Sequence, residues 1–394
     1  MRDPKEEEKM LDYPARLKKA RARMAEENIG LMYLTTGADL FYLAGIRRQP
    51  NHPTDHNRYG DWIMGGYIGL DDGADLVAAR MGGTYFEAEA EDKPWFDSVR
   101  LILESEDPLD VLHQVLSRFN LKGKKVALDN KAWAQSVLAF CHLLPETEFV
   151  LASDVIIAPM RMIKEEAELD LMRKAGQITD AAFQKAMAML KPGVTELDVA
   201  NEVDYQFRLL GAEYNSFVTG VRFVGPERGR EVTAARSTAK KLEPGDSVTF
   251  DIGCVYEGYC SDFGRSAFVG EPPAEYVKIH NLVLEAQREG MKAMKADQIT
   301  AAEADKVARA VIEAEGYGPY FTHRLGHGIG VTVHEPPFLD GVNPTVLRAN
   351  MTFTVEPSIR IPDRFGNRVE DVVLVTEQGG VSLYTTDWRL YIVE

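Results

Sequence analysis

Two pairs of acidic residues, each in a predicted β-hairpin, are the side chains of this sequence best placed to do chemistry. Asp251 and Asp262 flank a turn near residues 256–257, among β-branched and aromatic residues. Glu356 and Glu370 flank a second turn centred on Asp363. If the members of each pair face one another, their Cβ atoms lie ~5 Å apart and their charges repel unless a cation neutralises them. The sequence therefore predicts a cation site built from both hairpins.

His327, which lies between the two hairpins in sequence, offers this site a neutral ligand. The glycines on either side of it allow the backbone to approach closely. Four carboxylates and one imidazole form an oxygen-rich donor set that suits Mn²⁺, Co²⁺, Fe²⁺ or Zn²⁺. Acids inside apolar strands are seldom buried without a partner or a metal. Because sites of this kind hold two ions that share a hydroxide, the donor set predicts a two-metal hydrolase.

Three further side chains lie close to these donors in sequence. His323 stands four residues before His327, and His334 stands seven residues after it. This clustering favours a functional role for His334 over that of a satisfied loop histidine. Arg368 shares a strand face with Glu370, two residues on. It either binds a substrate carboxylate or forms a salt bridge with one of the acids.

The elements that carry the acids form a weak internal repeat. Residues 189–198 align with residues 294–303, an offset of 105, and the same offset carries Asp251 onto Glu356. Both segments contain a capping threonine followed three residues later by an acid, which is typical of a helix start. Helix-then-hairpin units are common, so coincidence is the alternative. The link to the proposed ligands favours a duplicated half-domain.

The first 160 residues alternate between helical and strand patterns, which predicts an α/β domain with a mixed sheet. A link near residues 156–164 leads to a second domain, residues 161–394, of long helices followed by hairpins, so the whole chain is α+β. In the first domain, helices are predicted at 13–27 and 107–119, and strands at 29–34, within 68–81, at 125–128 and at 149–152.

Composition and charge argue against some classes of binding partner. Acidic residues outnumber basic ones by 61 to 45, and the net charge of −16 argues against nucleic-acid or anionic membrane surfaces. No run approaches the ~20 apolar residues that span a bilayer, and the charged N-terminus shows no signal peptide. Three cysteines do not make a disulfide framework. We therefore expect a cytoplasmic protein with a small-molecule or short-peptide substrate and no nucleic-acid or membrane partner.

Four motifs surround the residues named above. They are Asp251-Ile-Gly…Gly258-Tyr-Cys-Ser-Asp262, His323-Arg-Leu-Gly-His327-Gly-Ile-Gly…His334-Glu-Pro-Pro, Val355-Glu356-Pro357 and Arg368-Val-Glu370-Asp371. Together they resemble the signatures of the pita-bread metallopeptidases, a family that includes Xaa-Pro aminopeptidase, prolidase, methionine aminopeptidase and the metal-free relative creatinase. The resemblance covers residues 160–390, with the motifs in the same order. The domain in front is similar to that of the aminopeptidase P, prolidase and creatinase branch.

This resemblance implies a pita-bread catalytic domain, made of two helix–hairpin halves, behind a creatinase-type N-terminal α/β domain. It also implies two divalent metal ions (Mn, Co, Zn or Fe, with Mn favoured) and a homodimer. In such a site Asp251 would chelate the first metal, and Asp262 and Glu370 would bridge both. His327 and Glu356 would complete the second.

The same resemblance implies roles in the reaction for three residues. Glu356 would accept the proton of the attacking water. His334 would contact the substrate carbonyl or the tetrahedral species that forms from it, and His323 would line the pocket. Because all five ligand types are present, the resemblance argues against a metal-free mechanism like that of creatinase.

One position departs from the family pattern. The peptidases usually carry another histidine seventeen residues before the first metal aspartate, and Ala234 stands there. An alanine side chain makes no hydrogen bond, so either another group such as Arg222 or Arg228 replaces it or the substrate is not a standard peptide. Relatives can also send a loop of the first domain to a neighbouring subunit's site. The segment around His52 and His56 either does this or is a solvated surface loop.

Three functions follow as hypotheses. The first is hydrolysis of short peptides by a Xaa-Pro aminopeptidase or dipeptidase, with a metal-bridging hydroxide as nucleophile. The second is a hydrolase or lyase that acts on a small non-peptide substrate, such as an amide or amidine C–N bond, with the same metals. The third is a binding or scaffold protein without turnover, but such a protein has no need for five convergent metal ligands.

Overall fold

The chain forms two compact units, which divide between Arg161 and Met162. The computed structural model describes residues 11–48, 59–71, 73–226 and 236–394. Among these residues, no helix combines the length and the apolar composition needed to cross a membrane.

The first unit is an α/β arrangement around one six-stranded sheet. Its elements are α1 (Tyr13–Glu26), β1 (Ile29–Leu34), α2 (Ala38–Ala44), β2 (Gly65–Gly69), β3 (Ala74–Ala79), α3 (Arg80–Glu91), β4 (Ser98–Ile102), α4 (Pro108–Leu116), β5 (Lys125–Leu128), α5 (Ala134–Leu143), β6 (Phe149–Leu151) and α6 (Ala158–Arg161). The strand order is β4-β3-β2-β1-β5-β6. Strands β1–β2–β3 pair antiparallel, whereas β3–β4, β1–β5 and β5–β6 pair parallel. The predicted mixed sheet is confirmed.

Two of the helices that the sequence pattern missed lack a clear periodicity. Helix α2 is buried at every residue, so it has no polar face to reveal a helical repeat. Helix α3 contains Met81 and Gly82 in non-helical conformations, which interrupts its pattern. By contrast, α1 begins at a clear signal, because the Asp12 carboxylate accepts a hydrogen bond from Ala15 N.

The second unit contains two helix pairs and the hairpins that follow them. Its elements are α7 (Glu166–Met189), α8 (Glu196–Leu209), β7 (Tyr214–Asn215), β8 (Gly220–Val224), β9 (Ser247–Ile252), β10 (Cys254–Tyr256), β11 (Tyr259–Cys260), β12 (Phe263–Val269), α9 (Ala274–Ala293), α10 (Ala301–Ala314), β13 (Gly326–Gly328), β14 (Glu335–Leu339), β15 (Thr352–Val355), β16 (Ser358–Ile361), β17 (Phe365–Arg368), β18 (Asp371–Val375), β19 (Gly380–Ser382) and β20 (Tyr391–Val393). Its two larger sheets have the orders β20-β12-β9-β8 and β14-β13-β15-β18-β19.

The internal repeat is visible in this unit. Helices α8 and α10 each have 14 residues and begin 105 positions apart, and each starts with a capping box, made by Thr195 in one and Thr300 in the other. These threonines also form isolated β-bridges to Lys241 and Val346, which are again 105 positions apart. Strands β9 and β15 begin at the same offset. The predicted duplication of a helix–hairpin half-domain is therefore confirmed.

Helix α7 supports the first hairpin through aromatic contacts. The ring of Phe183 lies 5.2 Å from the rings of both Phe250 in β9 and Phe263 in β12. All three side chains are fully buried, and burial of one such side chain stabilises a fold by ~1.5–3 kcal/mol. Phe250 precedes Asp251 and Phe263 follows Asp262, so this packing holds the two strand segments that carry the first pair of acids.

Candidate metal centre

The first hairpin does not place Asp251 opposite Asp262, and this expectation from the sequence was wrong. Asp251 pairs with Gly264, and Ile252 pairs with Phe263, so Asp262 lies just beyond the paired segment. The turn explains the shift. Glu257 and Gly258 have φ values of +44° and +81°, and a two-residue turn with positive φ at both central positions fits the twist of a hairpin.

The second hairpin has the predicted register. Val355 pairs with Asp371 on one side of the acids, and Ser358 pairs with Arg368 on the other. Glu356 and Glu370 therefore stand at the same level, as expected. The chain reverses about Asp363, which has a φ of +56°.

Gly264 joins the two hairpins. Its amide donates to Glu370 O at 3.1 Å, and the Glu370 amide donates to Gly264 O at 2.9 Å. Because Gly264 is also paired with Asp251, it stands between an acid of the first hairpin and an acid of the second. A Cβ atom at this position would lie 2.9 Å from Glu370 Cβ and Oε2. The absence of a side chain at Gly264 therefore lets the carboxylates converge.

The five predicted ligands come together. Asp251, Asp262 and Glu370 each offer a carboxylate oxygen, and these oxygens all lie within 4.8 Å of one another. The Nε2 atom of His327 lies 3.5 Å from Asp262 Oδ2 and 3.5 Å from Glu356 Oε1. Asp251 is partly exposed, and the other four residues are buried.

Glycine brings the His327 strand close to the acids. A Cβ atom on Gly326 would lie 1.8 Å from Thr354 O, so only glycine allows this approach of β13 to β15. Thr354 Oγ1 accepts a hydrogen bond from the His327 amide and also bonds Glu356 Oε1 at 3.2 Å. The same threonine thus fixes a histidine and an acid of the site.

Burial, and after it mutual repulsion, raises the pKa values of the buried acids in the site. Burial raises the pKa values of Asp262 and Glu370 well above the ordinary range, and neighbouring carboxylates raise them further. Burial also raises the pKa of Glu356, although the charge of Arg368 opposes this effect. Buried carboxylates that repel one another need nearby positive charge to remain ionised.

Arg368 supplies part of that charge. Its Nη1 lies 3.0 Å from Asp251 Oδ2 and 3.1 Å from Glu370 Oε2, and its Nη2 lies 3.3 Å from Glu356 Oε2. Of the two roles left open by the sequence, salt bridging to the acids is the one that these contacts support. They also raise the pKa of Arg368, against the opposing effect of burial.

The donor set fits metal ions for two reasons. First, Asp262 Oδ1 is buried and has no hydrogen-bond partner among the described residues. Second, burial and the nearby His334 lower the pKa of His327 to about 3, so its ring is neutral. Since His327 Nδ1 lies 3.1 Å from Gly328 O and donates to it, Nε2 presents a lone pair to carboxylate oxygens. Acceptors that face one another in this way require a cation between them.

The two other histidines lie in different surroundings. The His334 ring centroid is 4.2 Å from that of His327, at an interplanar angle of 67°, and burial and the charge of Arg324 lower the pKa of His334. His323 bonds Ser358 Oγ through Nε2 at 2.6 Å and Arg324 O through Nδ1 at 2.7 Å. Burial and Arg368 lower the His323 pKa to about 4. His334 is therefore a neutral ring beside the donors, whereas both nitrogens of His323 are held by the protein.

Sequence reasoning did not identify Arg236, which forms an ion pair with Asp251 Oδ2 and stacks over the Phe217 ring at 5.1 Å. Its position fifteen residues before an acid carries no recognisable signal, because Arg236 lies between β8 and β9 and not in either strand. Arg222, one suggested substitute for the missing histidine, lies 3.9 Å from Glu196. The other positions raised by the sequence, Ala234, Arg228, His52 and His56, lie outside the described residues.

Known proteins are similar to this chain along nearly its whole length. An uncharacterized peptidase of Staphylococcus epidermidis is 31% identical over 92% of this chain and 97% of its own length. A solved prolidase from Thermococcus sibiricus has a TM-score of 0.85 and 29% identity, covering 98% of this chain and 100% of its own. A Xaa-Pro dipeptidase from Bacillus anthracis has a TM-score of 0.81 and 29% identity, covering 97% and 100%.

Family models match both units. The model of the creatinase/prolidase N-terminal domain matches residues 16–163, and the model of metallopeptidase family M24 matches residues 170–377. The second match contains all five converging ligands. The chain therefore belongs to metallopeptidase family M24, with a creatinase/prolidase N-terminal domain, and it is a metal-dependent peptide hydrolase.

Proposed function

We propose that the protein hydrolyses short peptides at Xaa-Pro bonds with two divalent metal ions, Mn²⁺ being the favoured metal. The convergence of four carboxylates and the Nε2 lone pair of His327 is the observation that carries this proposal. The relatives named prolidase and Xaa-Pro dipeptidase support the choice of substrate. When bound, the two ions supply an acidified water as nucleophile and polarise the substrate carbonyl.

The side chains of the protein bind the ions, transfer the proton and orient the base. Asp251, Asp262, Glu370, Glu356 and His327 hold the ions. Glu356 lies in the first coordination shell and has a carboxylate oxygen 3.5 Å from His327 Nε2, and we assign to it the acceptance of the proton of the attacking water and its return to the leaving amine. Thr354 and Arg368 keep its two oxygens oriented at 3.2 and 3.3 Å.

His334 acts on the substrate rather than on the metals. It is partly buried and its pKa is lowered by burial and by Arg324, so it is neutral at pH 7 and retains one N–H group. We assign that N–H group to the oxygen of the scissile carbonyl, where negative charge develops during the attack. Removal of such a donor typically costs about 100- to 1,000-fold in kcat.

A substrate panel tests this function. Metal-free protein would be reconstituted with Mn²⁺, Co²⁺, Zn²⁺ or Fe²⁺ and assayed on Ala-Pro, Ala-Ala and Ala-Pro-Ala. We expect cleavage of at least one Xaa-Pro bond, fastest with Mn²⁺, and little cleavage of Ala-Ala. His334→Ala should keep its metal and lose turnover. Absence of Xaa-Pro cleavage by metal-loaded protein would contradict the proposal.

The alternative is hydrolysis or lysis of a small non-peptide C–N bond by the same metals. Ala234 favours it, because the usual histidine that holds the scissile peptide is replaced by a residue without a hydrogen-bonding side chain. Turnover of small amides or amidines by metal-loaded protein, combined with inactivity on every Xaa-Pro peptide, would select this alternative.

A further inference from the structure

The Tyr384 hydroxyl bonds both backbone groups of Asp262, one of the five converging ligands. The Asp262 amide donates to Tyr384 Oη at 2.9 Å, and the hydroxyl donates to Asp262 O at 2.6 Å. The two residues are 122 positions apart in sequence, and both are buried. Because a phenolic hydroxyl is a donor and an acceptor at once, a single oxygen atom satisfies both backbone groups of the aspartate.

These two bonds hold a residue that lies between two strands. Asp262 follows β11 and precedes β12, just beyond the segment of the first hairpin that is paired with β9. Two residues on, Gly264 exchanges a pair of backbone hydrogen bonds with Glu370. Tyr384 therefore supplies at Asp262 the two bonds that a second backbone supplies at Gly264.

The position of Tyr384 is itself fixed by helix α7. The Thr385 amide donates to Asp180 Oδ2, on this helix, at 2.8 Å. A Cβ atom on Gly176, one turn earlier in the helix, would lie 3.4 Å from Cδ1 and Cε1 of the Tyr384 ring. The ring also lies 5.1 Å from that of Phe263, which directly follows Asp262. The hydroxyl is therefore presented by a packed ring, and Tyr384→Phe would keep this ring.

Asp262 depends on its backbone more than the other acids of the site do. Arg368 contacts the three other acids at 3.0–3.3 Å, whereas no arginine or lysine of the described residues forms an ion pair with Asp262. Its Oδ1 is buried and has no hydrogen-bond partner among the same residues. Because a single methylene group joins the carboxylate of an aspartate to Cα, the orientation of the backbone largely determines where the carboxylate points.

We propose that Tyr384 is a positioning residue, whose hydroxyl fixes the backbone of Asp262 and thereby directs its carboxylate to the metal ions. This inference rests on the proposed two-metal function. Removal of a group that orients a metal ligand typically lowers metal affinity by about 10- to 100-fold. The tyrosine sets the affinity of the site through Asp262 and not through contact with the ions or the substrate.

Tyr384→Phe tests this role by removing the hydroxyl alone. Metal-free wild type and variant would be titrated with Mn²⁺ by calorimetry, and cleavage of Ala-Pro would be measured at limiting and at saturating Mn²⁺. We expect about 10- to 100-fold weaker binding of at least one ion by the variant. Saturating Mn²⁺ should restore most of the lost kcat, with KM for the peptide unchanged. A merely structural defect would instead lower the amount of bound Mn²⁺ and leave the affinity of the folded molecules as in wild type.

Tyr276→Phe is the matched control. Tyr276 is fully buried, and its hydroxyl donates to Gly366 O at 3.1 Å and accepts from Asn367 Nδ2 at 3.2 Å. This variant also loses a buried hydroxyl that donates one bond and accepts another, but the bonds do not hold the backbone of a ligand. It should bind Mn²⁺ like wild type. Wild-type affinity in Tyr384→Phe, or the same loss of affinity in both variants, would overturn the proposal.

Amide hydrogen exchange separates this inference from the proposed function. In metal-free protein, the Asp262 amide should exchange at least about tenfold faster in Tyr384→Phe than in wild type, because its acceptor is gone. In Tyr276→Phe the same amide should exchange as in wild type. If wild type binds no Mn²⁺, the two-metal proposal fails, and exchange alone decides whether Tyr384 holds Asp262. Equal exchange in Tyr384→Phe and wild type would overturn the positioning role, whatever the metal result.

Discussion

The Nζ atom of Lys164 lies 3.4 Å from Glu335 Oε2, and the two side chains are only 3% and 2% exposed. Glu335 directly follows His334, and its Oε1 accepts a hydrogen bond from the Thr332 amide at 3.0 Å. A Cβ atom on Gly330 would lie 3.0 Å from both Glu335 Oε1 and Lys164 Cε. The buried ion pair therefore fixes the loop that carries His334 toward the metal centre.

Lys164→Met should destabilise the protein and displace His334. Removal of one partner leaves a buried, uncompensated carboxylate, which costs about 3–5 kcal/mol in the free energy of unfolding. Denaturant unfolding measures this loss, and the double variant with Glu335→Gln should recover part of it. Lys191→Met, at an exposed position, serves as control. A change below about 0.5 kcal/mol in Lys164→Met would contradict this assignment.

Gly264→Ala should lower the affinity of the site for metal ions. The added methyl group would lie 2.9 Å from Glu370 Cβ and from Arg368 Cδ, so the hairpins must separate, at a cost of about 1–3 kcal/mol. We expect lower affinity for Mn²⁺ and a lower rate at limiting metal. Gly366→Ala is the matched control, because its new Cβ would meet nothing closer than 3.5 Å. Identical metal affinities for the two variants would contradict the role given to Gly264.

His280 should make folding sensitive to acid. Its ring bonds Trp388 O through Nε2 at 3.0 Å and faces Asn367 Nδ2 through Nδ1 at 3.3 Å, and burial lowers its pKa below 6.5. The unfolded chain then binds a proton that the folded protein does not, so the stabilisation present above about pH 6.5 is lost as the pH falls toward the folded-state pKa.

The pH effect is measured as a difference between two proteins. Unfolding of EDTA-treated wild type and His280→Gln would be followed between pH 8 and 5. Wild type should lose more stability than the variant over this range, since only wild type carries the titrating ring at position 280. Parallel curves for the two proteins would show that His280 does not contribute.

The sequence predicted the site well where residue type and local register determine it. Glu356 and Glu370 were placed at the same level because a three-residue turn about Asp363 sets the register of their hairpin. The convergence of the acids with His327 followed from the need of buried carboxylates for a cation. The duplicated helix starts followed from the capping boxes at Thr195 and Thr300.

The features that the sequence did not predict depend on contacts between residues distant in sequence. The register of the first hairpin required the positive φ values of Glu257 and Gly258, which moved Asp251 from Asp262 to Gly264. Lys164 and Glu335, which form an ion pair, are 171 residues apart in sequence, and no local pattern predicts their contact. Such pairs are found only when the fold brings their elements together.

The number of ions bound tests the central claim most directly. Metal-free protein would be titrated with Mn²⁺ by calorimetry, and the bound metal counted by elemental analysis. The five converging ligands predict two ions per chain for wild type. Asp262→Asn should bind fewer than two, with a loss in kcat/KM of at least about 100-fold, whereas Asp363→Asn, at the exposed turn of the second hairpin, should bind two. No specific Mn²⁺ binding by wild type, or two ions retained with full activity in Asp262→Asn, would contradict the account.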